Sequence, residues 1–373
     1  VLREQAPDLD PLPAVDVRPE DQFLIIYTSG TTGTPKAIVL DHAAQTAAPR
    51  ALAEMWGLDA NDITLVALPP GYLYGLSTAA AVGLQSGGTV VILPRFHPRD
   101  VLEAFVDHRV TVYHGVPTMF SMMLDYCEQR DLTYDLGHVR TMICAGAPLA
   151  PETRQRFAAR FGADLQNYYA MTESTPVFGR LANDPRPLPE GAVGRAAPGL
   201  KVRIVRPDGT DCAPGEEGEI LVRAAATMQG YLNAPEQTAS AFVGDLFRTG
   251  DLGRCDADGT YFITGRIKDI IIRGGANISP AEVEEALTSH PAVQEVAVVG
   301  CSDRIFGEVP VAFVVLRAGA SVAAEVLEAH AAQVLSDFKV PRRYLFEASL
   351  PIGKTGKIDK AALARRLATD ERV

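Results

Sequence analysis

Cysteine is scarce in this sequence, and its spacing excludes the usual cysteine-based sites. The five cysteines are Cys127, Cys144, Cys212, Cys255 and Cys301, with no C-x-x-C pair among them. A zinc site or a dithiol redox motif needs closely spaced cysteines, and a disulfide framework needs an even number. The pattern therefore favours reduced thiols in a reducing compartment, and we expect a cytoplasmic protein.

The sequence also lacks a membrane-spanning segment and an excess of positive charge. No stretch approaches the ~18 consecutive apolar residues of a membrane helix, and no signal peptide opens the printed sequence. The formal net charge of -11 gives no basic field that would attract a phosphate backbone. Nucleic acid and membrane are therefore not expected as partners, although a local basic spot could hold a small anionic ligand. No spacing supports a zinc enzyme or a Ser-His-Asp hydrolase.

The composition that remains is typical of a globular protein with more than one domain. The chain has 373 residues, of which 47% are hydrophobic and 22% charged, and this length is too great for a single core. In the first two thirds, apolar runs alternate with segments of helical spacing, which predicts parallel strands joined by crossover helices. The predicted strands cover 64–70, 89–94, 110–117 and 139–146, and the predicted helices cover 101–109, 119–130 and 151–162.

Two other patterns of secondary structure are predicted further along the chain. From about Pro198 it reads as short strands and tight turns, which indicates antiparallel hairpins. A small α+β region follows Arg266, and its first helix is predicted to open with a capping box of Ser279 as N-cap, Pro280 at N1 and Glu282 at N3. Strands at 293–301 and 309–317, a helix from about Val322 to Leu335 and a last helix after a Gly/Lys-rich loop complete the region.

The stretch TSGTTGTPK, residues 28 to 36, combines hydroxyls, glycines and one lysine directly after an apolar strand. Glycines let backbone N–H groups approach an anion, hydroxyls add donors and lysine adds positive charge, so phosphate is a suitable ligand. The stretch lacks P-loop spacing, because Pro35 precedes Lys36 and Ala37 stands where a metal-binding hydroxyl belongs. A Thr/Gly-rich surface loop has the same composition, so the stretch by itself leaves both interpretations open.

Seven stretches in a fixed order carry a more specific resemblance. They are TSGTTGTPK (28–36), AGAPL (145–149), YYAMTES (168–174), GYLNAPEQT (230–238), FRTGDLG (247–253), GRIKDIIIRGGANISPAEVE (265–284) and PIGKTGKID (351–359). Together they resemble the AMP-forming adenylate synthetase superfamily, which includes acyl-CoA and aryl-CoA synthetases, adenylation domains and luciferases. The resemblance covers nearly the whole chain.

The resemblance implies an α/β fold in two domains. Residues 1–266 would form a large domain of mixed sheets with flanking helices and a strand- and turn-rich subdomain. Residues 267–373 would form a small, mobile α+β domain with a hinge near Lys268. Full-length members carry a substantial segment before the phosphate loop, so we expect such a segment to precede this sequence in the natural protein.

The resemblance also implies the nucleotide and metal contacts. The hydroxyl-rich loop would hold the β- and γ-phosphates of ATP, Thr172 would contact the α-phosphate, and Glu173 would bind Mg²⁺, which prefers oxygen ligands. Asp251 would accept both ribose hydroxyls with Arg266 nearby, and small residues would line the adenine. Taken singly, Glu173, Asp251 and Arg266 could also be surface or turn residues. The implied nucleotide-binding set is Thr28, Ser29, Gly30, Thr31, Thr32, Gly33, Lys36, Gly146, Ala147, Pro148, Tyr169, Asp251, Arg266, Gly274 and Gly275.

Two lysines are implied in successive steps of the reaction. Lys357 would bridge the substrate carboxylate and the α-phosphate during adenylation, although a solvated tail lysine is the alternative. Rotation at Lys268 would then move Lys357 away and bring the RGGANIS loop to a tunnel for a phosphopantetheine thiol. Gly274 and Gly275 would allow that arm to approach closely. The implied catalytic residues are Lys357, Thr172, Glu173 and Lys268.

The predicted acid pocket departs from the common family pattern at two positions. Tyr72 stands where acyl- and aryl-CoA synthetases often have His, and no nearby Asp could pair with an amino-acid ammonium, which is costly to bury alone. Ala170 replaces the more usual Gly, and its methyl favours a compact acid. The predicted pocket residues are Tyr72, Gly75, Ala145, Ala170 and Met171.

The resemblance predicts an ATP-dependent, AMP-forming acid–thiol ligase of the acyl-CoA synthetase type. Such an enzyme would convert a small carboxylic acid to an acyl-adenylate and pass the acyl group to a phosphopantetheine thiol, with coenzyme A as the preferred acceptor. ATP, Mg²⁺ and coenzyme A or phosphopantetheine are thus implied. Three alternatives stay open: loading of an acyl carrier protein, activation of an acid other than a carboxylate, and a non-catalytic nucleotide-binding protein.

Overall fold

The computed structural model describes residues 15–28, 36–353 and 358–369. The α-helices in these ranges are α1 (His42–Trp56), α2 (Val82–Gln85), α3 (Pro98–Asp107), α4 (Pro117–Glu128), α5 (Pro151–Phe161), α6 (Pro235–Ser240), α7 (Pro280–Thr288), α8 (Ala324–Ala331) and α9 (Lys360–Thr369). A π-helix (Tyr74–Ala81) leads directly into α2, and a 3-10 turn (Ile267–Asp269) follows the last strand of the central region. None of the helices in the described ranges combines the length and the apolar character that crossing a membrane requires.

The described strands form four sheets. Those before residue 267 are β1 (Gln22–Thr28), β2 (Lys36–Asp41), β3 (Ile63–Val66), β4 (Thr89–Ile92), β5 (Val112–Gly115), β6 (Thr141–Ala145), β7 (Leu165–Met171), β8 (Ser174–Gly179), β9 (Arg195–Ala196), β10 (Lys201–Val205), β11 (Gly218–Arg223), β12 (Ala226–Thr227), β13 (Gly230–Tyr231), β14 (Phe242–Val243), β15 (Leu246–Cys255) and β16 (Tyr261–Arg266). Those after it are β17 (Ile271–Arg273), β18 (Ala276–Ile278), β19 (Val293–Asp303), β20 (Gly307–Leu316) and β21 (Arg343–Glu347).

The largest sheet has the order β12-β8-β7-β6-β5-β3-β4, with β9 beside β8. Strands β4, β3, β5, β6 and β7 are parallel, and α3, α4 and α5 connect them in sequence. The core between these helices and the sheet contains Tyr113, Phe120 and Phe157, whose rings meet edge to face at 5.7 and 5.3 Å. All five cysteines are free, and Cys127 and Cys144 lie in this core. The predicted alternation of parallel strands and crossover helices is confirmed.

Two antiparallel sheets lie beside the largest sheet and supply much of the candidate site. One has the order β10-β11-β15-β14, with β16 also paired to β15, and the other has the order β1-β2-β13. Every pairing in these two sheets is antiparallel. The hairpins predicted after Pro198 are therefore confirmed.

The C-terminal region forms a sheet with helices on both faces, as expected for an α+β unit. Its order is β18-β17-β20-β19, and β21 adds to β20 in parallel. Helix α7 buries Val283 and Leu287 in one apolar cluster of the region. Helix α9 buries Leu363 and Leu367 in a second cluster, which includes Phe313 of β20.

The predicted capping box at α7 is only half correct. The helix begins at Pro280 with Ser279 as its N-cap residue, but the Ser279 side chain makes no capping hydrogen bond. Its hydroxyl instead donates to the Thr264 carbonyl in β16 at 2.6 Å. Glu282 pairs with Lys339 rather than with the start of the helix. Tertiary contacts thus use the two side chains, Ser279 and Glu282, that a capping box would have used.

Helix α8 is shorter than the predicted span from Val322 to Leu335. It covers Ala324–Ala331, and the chain then tightens, with the Gln333 amide bonded to the His330 carbonyl and the Val334 amide to the Ala331 carbonyl. Hydrogen bonds between residues three positions apart are common where an α-helix ends. The hydrophobic spacing in the sequence continues past this point, so it does not show where the α-helix stops.

Candidate functional site

Asp251 occupies a buried position where two strands and a tyrosine meet. It lies in β15 directly opposite Arg266 in β16, and the residue is 3% exposed. Arg266 Nε is 2.6 Å from Asp251 Oδ1, and the Tyr169 hydroxyl in β7 donates to Oδ2 at 2.5 Å. The structure therefore brings together the predicted ribose carboxylate, the predicted arginine and a predicted nucleotide-site tyrosine.

Thr249 holds the backbone beside Asp251, and the sequence prediction did not include it. Its hydroxyl donates to the Ile220 carbonyl in β11 at 2.8 Å and accepts from the Asp251 amide at 3.0 Å. Gly250 between them has φ +68°, a left-handed conformation that glycine adopts without strain. The backbone of Asp251 is therefore linked to the neighbouring strand β11 through the Thr249 hydroxyl. The stretch FRTGDLG contains the signal, since Thr249 and Gly250 directly precede Asp251 there.

One oxygen of Asp251 is held by an ion pair rather than by an aligned hydrogen bond. Oδ1 is buried, and within the described part of the chain no N–H or O–H group is aligned to donate to it, despite the ion-pair contact with Arg266. Each carboxylate oxygen can accept more than one hydrogen bond, so the ion pair with Arg266 leaves Oδ1 with capacity for a further donor. This carboxylate is therefore suited to accept hydroxyl groups of a bound ligand.

Tyr169 is one end of a stack of three aromatic rings, which holds its side chain in place. Its ring centre is 5.7 Å from that of Phe178 with planes 19° apart, and Phe178 lies 4.1 Å from Tyr261 with planes 12° apart. Burial, together with the nearby Asp251, raises the pKa of Tyr169 well above its ordinary value. The phenol is therefore protonated at neutral pH and can donate its hydrogen bond to Asp251.

Thr172 and Glu173 form the turn between β7 and β8. The Met228 amide donates to the Glu173 carbonyl at 2.8 Å, which attaches the turn to the segment before β13. Burial raises the pKa of the Glu173 carboxyl, while the positive charges of Lys36 and Arg266 act in the opposite direction. Glu173 therefore belongs to the same charged cluster as the aspartate–arginine pair.

Lys36 and Thr28 stand opposite each other at the ends of the β1–β2 hairpin. Lys36 Nζ lies 4.6 Å from the ring centre of Tyr231, a cation–π contact that the sequence prediction missed although Tyr231 belongs to GYLNAPEQT. The other predicted phosphate-loop residues lie outside the described residues: Ser29, Gly30, Thr31, Thr32 and Gly33. We refer to the following cluster as the nucleotide side: Lys36, Tyr169, Glu173, Asp251 and Arg266.

The predicted adenine segment directly follows β6. Gly146 has φ +89°, and a Cβ there would lie 3.4 Å from Val116 Cγ1, so the backbone conformation rather than lack of space favours glycine. Gly146, Ala147 and Pro148 are exposed, whereas Ala145 before them is buried. The segment thus presents backbone at the carboxyl end of a parallel strand, where ligands bind in open α/β sheets.

The predicted acid-pocket residues come from three elements, and we refer to them as the acid side. Tyr72 precedes the π-helix and Gly75 lies in it, Ala145 ends β6, and Ala170 and Met171 end β7. Tyr72 is 37% exposed. A Cβ on Gly75 would lie 2.6 Å from the Pro69 carbonyl oxygen, so close backbone contact is enough to explain glycine at this position.

An aromatic cluster lies behind the acid side and includes a buried histidine. Ala145 and Ala170 pack with Trp56 and Tyr74, and the Trp56 and Tyr74 rings approach His114 edge-on at 5.2 and 5.9 Å. His114 is fully buried, and neither ring nitrogen has a hydrogen-bond partner among the described residues. Burial lowers the pKa of His114 to about 3, so the imidazole is neutral at physiological pH.

The residues predicted to act in the second step lie around the first strands of the C-terminal region. Lys268 lies in the 3-10 turn between β16 and β17, and partial burial of its ammonium lowers the pKa of Lys268. Gly274 and Gly275, with φ +57° and +86°, form the turn between β17 and β18, and the Gly274 amide donates to the Phe306 carbonyl at 2.7 Å. Lys357 lies outside the described residues.

The described residues contain one carboxylate that fits a predicted metal role but no metal-binding cluster. No group of three or more His, Cys, Asp or Glu side chains within the described ranges is arranged to hold a metal ion. Mg²⁺ is commonly held by one or two carboxylates together with substrate phosphates and water. Glu173, a single carboxylate in a cluster with Lys36, is compatible with that mode of binding.

The fold is that of the AMP-binding enzyme family. The chain belongs to the AMP-binding enzyme family, whose profile matches residues 2–232, and the profile of the AMP-binding enzyme C-terminal domain matches residues 282–357. The long-chain-fatty-acid–CoA ligase of Bacillus subtilis (strain 168) is 35% identical over 99% of this chain and 65% of its own length. The sulfoacetate–CoA ligase of Cupriavidus necator is 36% identical over 96% of this chain and 72% of its own length.

A solved structure, ATP-bound MatB from Rhodopseudomonas palustris, aligns with a TM-score of 0.88 at 34% identity, over 95% of this chain and 70% of that protein. A second structure of MatB, without ligand, aligns with a TM-score of 0.76 over 96% of this chain. The chain thus spans 65 to 72% of the length of these three relatives. The comparisons confirm the predicted superfamily, the predicted α/β fold and, at the level of enzyme class, the prediction of an AMP-forming acid–thiol ligase.

Proposed function

We propose that the protein activates a compact carboxylic acid with ATP and transfers the acyl group to coenzyme A. In the first half-reaction a carboxylate oxygen attacks the α-phosphorus, and the bond to pyrophosphate breaks. In the second, the thiol of coenzyme A loses its proton, its sulfur attacks the acyl carbon, and AMP leaves. Both reactants of the first step are anions, so positioning and charge stabilisation must supply most of the catalysis.

The observation that carries the proposal is the arrangement of the nucleotide side. Asp251 would accept the ribose hydroxyls, because each of its carboxylate oxygens can accept a further hydrogen bond beside the contacts with Tyr169 and Arg266. Tyr169 and Arg266 hold that carboxylate in place from two different strands. Thr28 and Lys36 would begin and end the loop that holds the β- and γ-phosphates. A group of paired charges that converges on one buried acceptor is better explained by a nucleotide than by a surface network.

Glu173 would hold Mg²⁺ together with the phosphates of ATP. When bound, the metal would supply positive charge that neutralises the phosphate oxygens. The hydroxyl of Thr172, in the same turn, could donate to the α-phosphate. Burial raises the pKa of Glu173, whereas the charges of Lys36 and Arg266 act against that rise and favour the ionised form, which is the form that a metal requires. Retention of these charged groups supports a catalytic protein over a non-catalytic nucleotide-binding protein.

We infer that the chain divides near residue 266 and that the C-terminal region turns about Lys268. The turn Ile267–Asp269 joins β16 of one sheet to β17 of another, so changes in a few backbone angles there would reorient a whole sheet. The ATP-bound and ligand-free structures of MatB align with this chain at TM-scores of 0.88 and 0.76 with nearly equal coverage. This difference between two structures of one relative supports movement within the family.

A pair of substitutions tests this division of labour. Lys268→Pro fixes φ at the turn, so we expect it to retain ATP–pyrophosphate exchange and to lose thioester formation. Lys357→Ala removes the proposed bridging charge, so we expect it to lose exchange by about 10²–10³-fold and still to convert supplied acyl-adenylate and coenzyme A to thioester. Equal loss of both half-reactions in both variants would contradict the proposal.

The class of acid is inferred from the acid side. Ala170 adds a methyl beside the proposed pocket, and the segment from 71 to 77 contains no carboxylate to pair with an amino-acid ammonium. Relatives of similar identity are named for a long-chain fatty acid, sulfoacetate and ferulate, so relatedness by itself does not select the acid.

The experiment is a pyrophosphate-exchange screen across short aliphatic, aromatic, long-chain and α-amino acids, followed by transfer of the best acid. Acceptors are coenzyme A and an acyl carrier protein that carries phosphopantetheine. We expect exchange with a compact non-amino acid and transfer to coenzyme A. Best exchange with an α-amino acid or a long-chain acid would refute the pocket assignment, and transfer to the carrier protein alone would refute the acceptor.

A further inference from the structure

A carboxylate in the C-terminal region is paired with a lysine at the start of the last helix. Glu284 lies in α7, and its Oε1 is 2.6 Å from Lys360 Nζ and accepts from the Val298 amide of β19 at 2.6 Å. The two side chains are 20% and 30% exposed. Burial raises the pKa of Glu284, and the charge of Lys360 acts against that rise. Glu284 therefore joins α7, β19 and α9 through one oxygen.

The place of Lys360 in its helix is unfavourable without such a partner. Lys360 is the first residue of α9, where the partial positive charge of the helix dipole disfavours a cation. Asp359 caps the same helix by accepting from the Ala362 amide at 2.9 Å. Because the local dipole opposes a lysine here, the pairing with Glu284 gives the lysine a tertiary role.

The same residues adjoin the described ends of the segment 354–357, which contains Lys357. Ile352 and Ile358 form a β-bridge, and the Asp359 amide donates to the Pro351 carbonyl at 2.8 Å. The described residues on both sides of the segment 354–357 are therefore joined to each other. Ile358 directly follows Lys357 in the sequence, and Lys360 is two residues further on.

The other end of α7 is attached to the strand that carries Arg266. The Ser279 hydroxyl donates to the Thr264 carbonyl of β16 at 2.6 Å, and Arg266 ends the same strand and contacts Asp251. Burial lowers the pKa of Lys268, and the positive charges of Arg266 and, to a smaller extent, Lys360 lower it further. A continuous series of contacts thus runs from Asp251 through α7 to the described residues next to the segment 354–357.

We propose that Glu284 is a positioning residue for adenylation, which acts through Lys360 to hold the described residues next to Lys357 in the sequence against α7. The proposal rests on the proposed function of Lys357. Glu284 would not contact the substrate but would fix the position of the described residues on either side of the segment 354–357. A displacement of about 1 Å at a reacting group can cost about 10²-fold in rate, so loss of the anchor should affect the step that needs Lys357. Thioester formation does not need Lys357, and it should not need the anchor.

The same helix provides a matched control. Glu282, two residues earlier, pairs with Lys339, whose Nζ lies 2.6 and 2.7 Å from its two oxygens. Glu282→Gln and Glu284→Gln therefore remove the same charge from the same helix and break one ion pair each. Lys339 precedes β21 and is not part of the contacts next to the segment 354–357.

The experiment measures both half-reactions and the thermal unfolding midpoint of Glu284→Gln, Lys360→Gln, their double variant, Lys360→Arg and Glu282→Gln. We expect Glu284→Gln and Lys360→Gln each to lower the kcat of pyrophosphate exchange by about tenfold to a hundredfold, with the KM for ATP nearly unchanged. The double variant should be no worse than either single one, since both remove one interaction. Lys360→Arg should retain most of the exchange activity, and thioester formation from supplied acyl-adenylate should persist in all variants.

Four results would overturn the proposal. Glu284→Gln could lose no more exchange than Glu282→Gln, or it could lose both half-reactions alike, in which case the pair only supports folding. If Lys357→Ala keeps full exchange while Glu284→Gln loses it, the assigned function of Lys357 fails together with this route. Loss of exchange in Lys357→Ala with normal exchange in Glu284→Gln overturns the positioning role alone.

Discussion

The nucleotide side and the acid side of the candidate site are supported in different ways. On the nucleotide side, polar groups from paired strands hold one another, as Asp251 contacts Arg266 and Tyr169 while Thr249 holds its backbone. The acid side is made of small or apolar residues from a π-helix and two strand ends, apart from Tyr72. Behind it, the polar ring of His114 is buried without a hydrogen-bond partner among the described residues.

The difference fits a reaction in which one substrate is constant and the other varies within a family. Recognition of ATP needs fixed donors and acceptors at fixed distances, and loss of one such contact leaves a buried group unpaired at high cost. An apolar pocket discriminates by volume, and one methyl group changes its preference by a modest amount. Relatives of near-equal identity that are named for different acids are consistent with this division.

The largest effect should come from Glu173→Gln on the nucleotide side. The amide keeps the shape but removes the charge that Mg²⁺ requires, so we expect exchange to fall by about 10³-fold and to recover in part at raised Mg²⁺. Because the metal would bind ATP and not the acid, the factor should be the same for every acid accepted. Steady-state exchange at several Mg²⁺ concentrations measures this.

Glu325→Gln in α8, at an exposed position, is the control and should leave exchange unchanged. Near-normal exchange in Glu173→Gln at ordinary Mg²⁺ would remove Glu173 from the metal site. A loss that differs between acids would show that the two sides are not separate.

The next effect concerns stability and the histidine behind the acid side. Burial lowers the pKa of His114 to about 3, whereas an unfolded histidine titrates near 6.5, so the unfolded state takes up a proton first as pH falls. The folded state should therefore lose stability below pH 6.5, by about 2 kcal/mol between pH 7 and pH 5. Urea unfolding at the two pH values should show that His114→Leu lacks this part of the loss.

His108→Leu, at an exposed position next to α3, should keep the full wild-type loss and serves as the control. If wild type and His114→Leu lose equal stability between the two pH values, the imidazole is not a neutral unpaired group. The contrast drawn between the two sides would then fail at this residue.

Two tyrosine substitutions separate the two sides more finely. Tyr169→Phe removes the donor to Asp251 Oδ2, and a hydrogen bond to a charged group contributes about 1.5 kcal/mol or more, so we expect the KM for ATP to rise about tenfold. Tyr74→Phe removes the donor to the Gly115 and Ile143 carbonyls behind the acid side. It should change the KM for the acid and leave that for ATP within about twofold, since neutral hydrogen bonds contribute less. Measurement of both KM values in both variants would contradict the contrast if the same KM moved in each.

Local patterns in the sequence predicted the large parallel sheet well. Buried parallel strands read as continuous apolar runs, and α3 to α5 show helical spacing between them, so both periods are visible without tertiary information. The members of the nucleotide side could be predicted because seven short stretches carry a family resemblance. The strand pairing of Asp251 with Arg266 also follows from one hairpin, since only a short turn separates β15 from β16.

Contacts between distant positions could not be predicted in this way. Tyr169 and Asp251 are 82 positions apart, and the sequence around each residue gives no sign that the two side chains form a hydrogen bond. Ser279 gives the sequence signal of a helix cap, yet a strand carbonyl from β16 takes its hydroxyl. The pairing of Glu284 with Lys360 depends on how two helices pack on one sheet. The hydrophobic periodicity of each helix gives no information about that packing.

The smallest predicted effect is the one on acid selection by Ala170. This residue follows Tyr169 in β7 and packs against the aromatic cluster on the acid side. Ala170→Gly removes one methyl group, worth about 1 kcal/mol in a filled pocket, so we expect the ratio of kcat/KM for a bulkier acid over a compact one to rise about fivefold. The KM for ATP should stay the same, because the change lies on the acid side. Exchange kinetics with a homologous series of acids measures the ratio.

Ala197→Gly is the matched control, since Ala197 is 4% exposed in the same cluster and its loss also removes one methyl group. It should lower stability by about 1 kcal/mol or less, as a glycine does in ordered backbone, without changing the ratio between acids. If both variants shift acid preference equally, the cluster as a whole sets pocket volume and Ala170 has no special position. If Ala170→Gly raises the KM for ATP instead, the methyl group supports Tyr169 from the other side of the strand, and the two sides of the site share this residue.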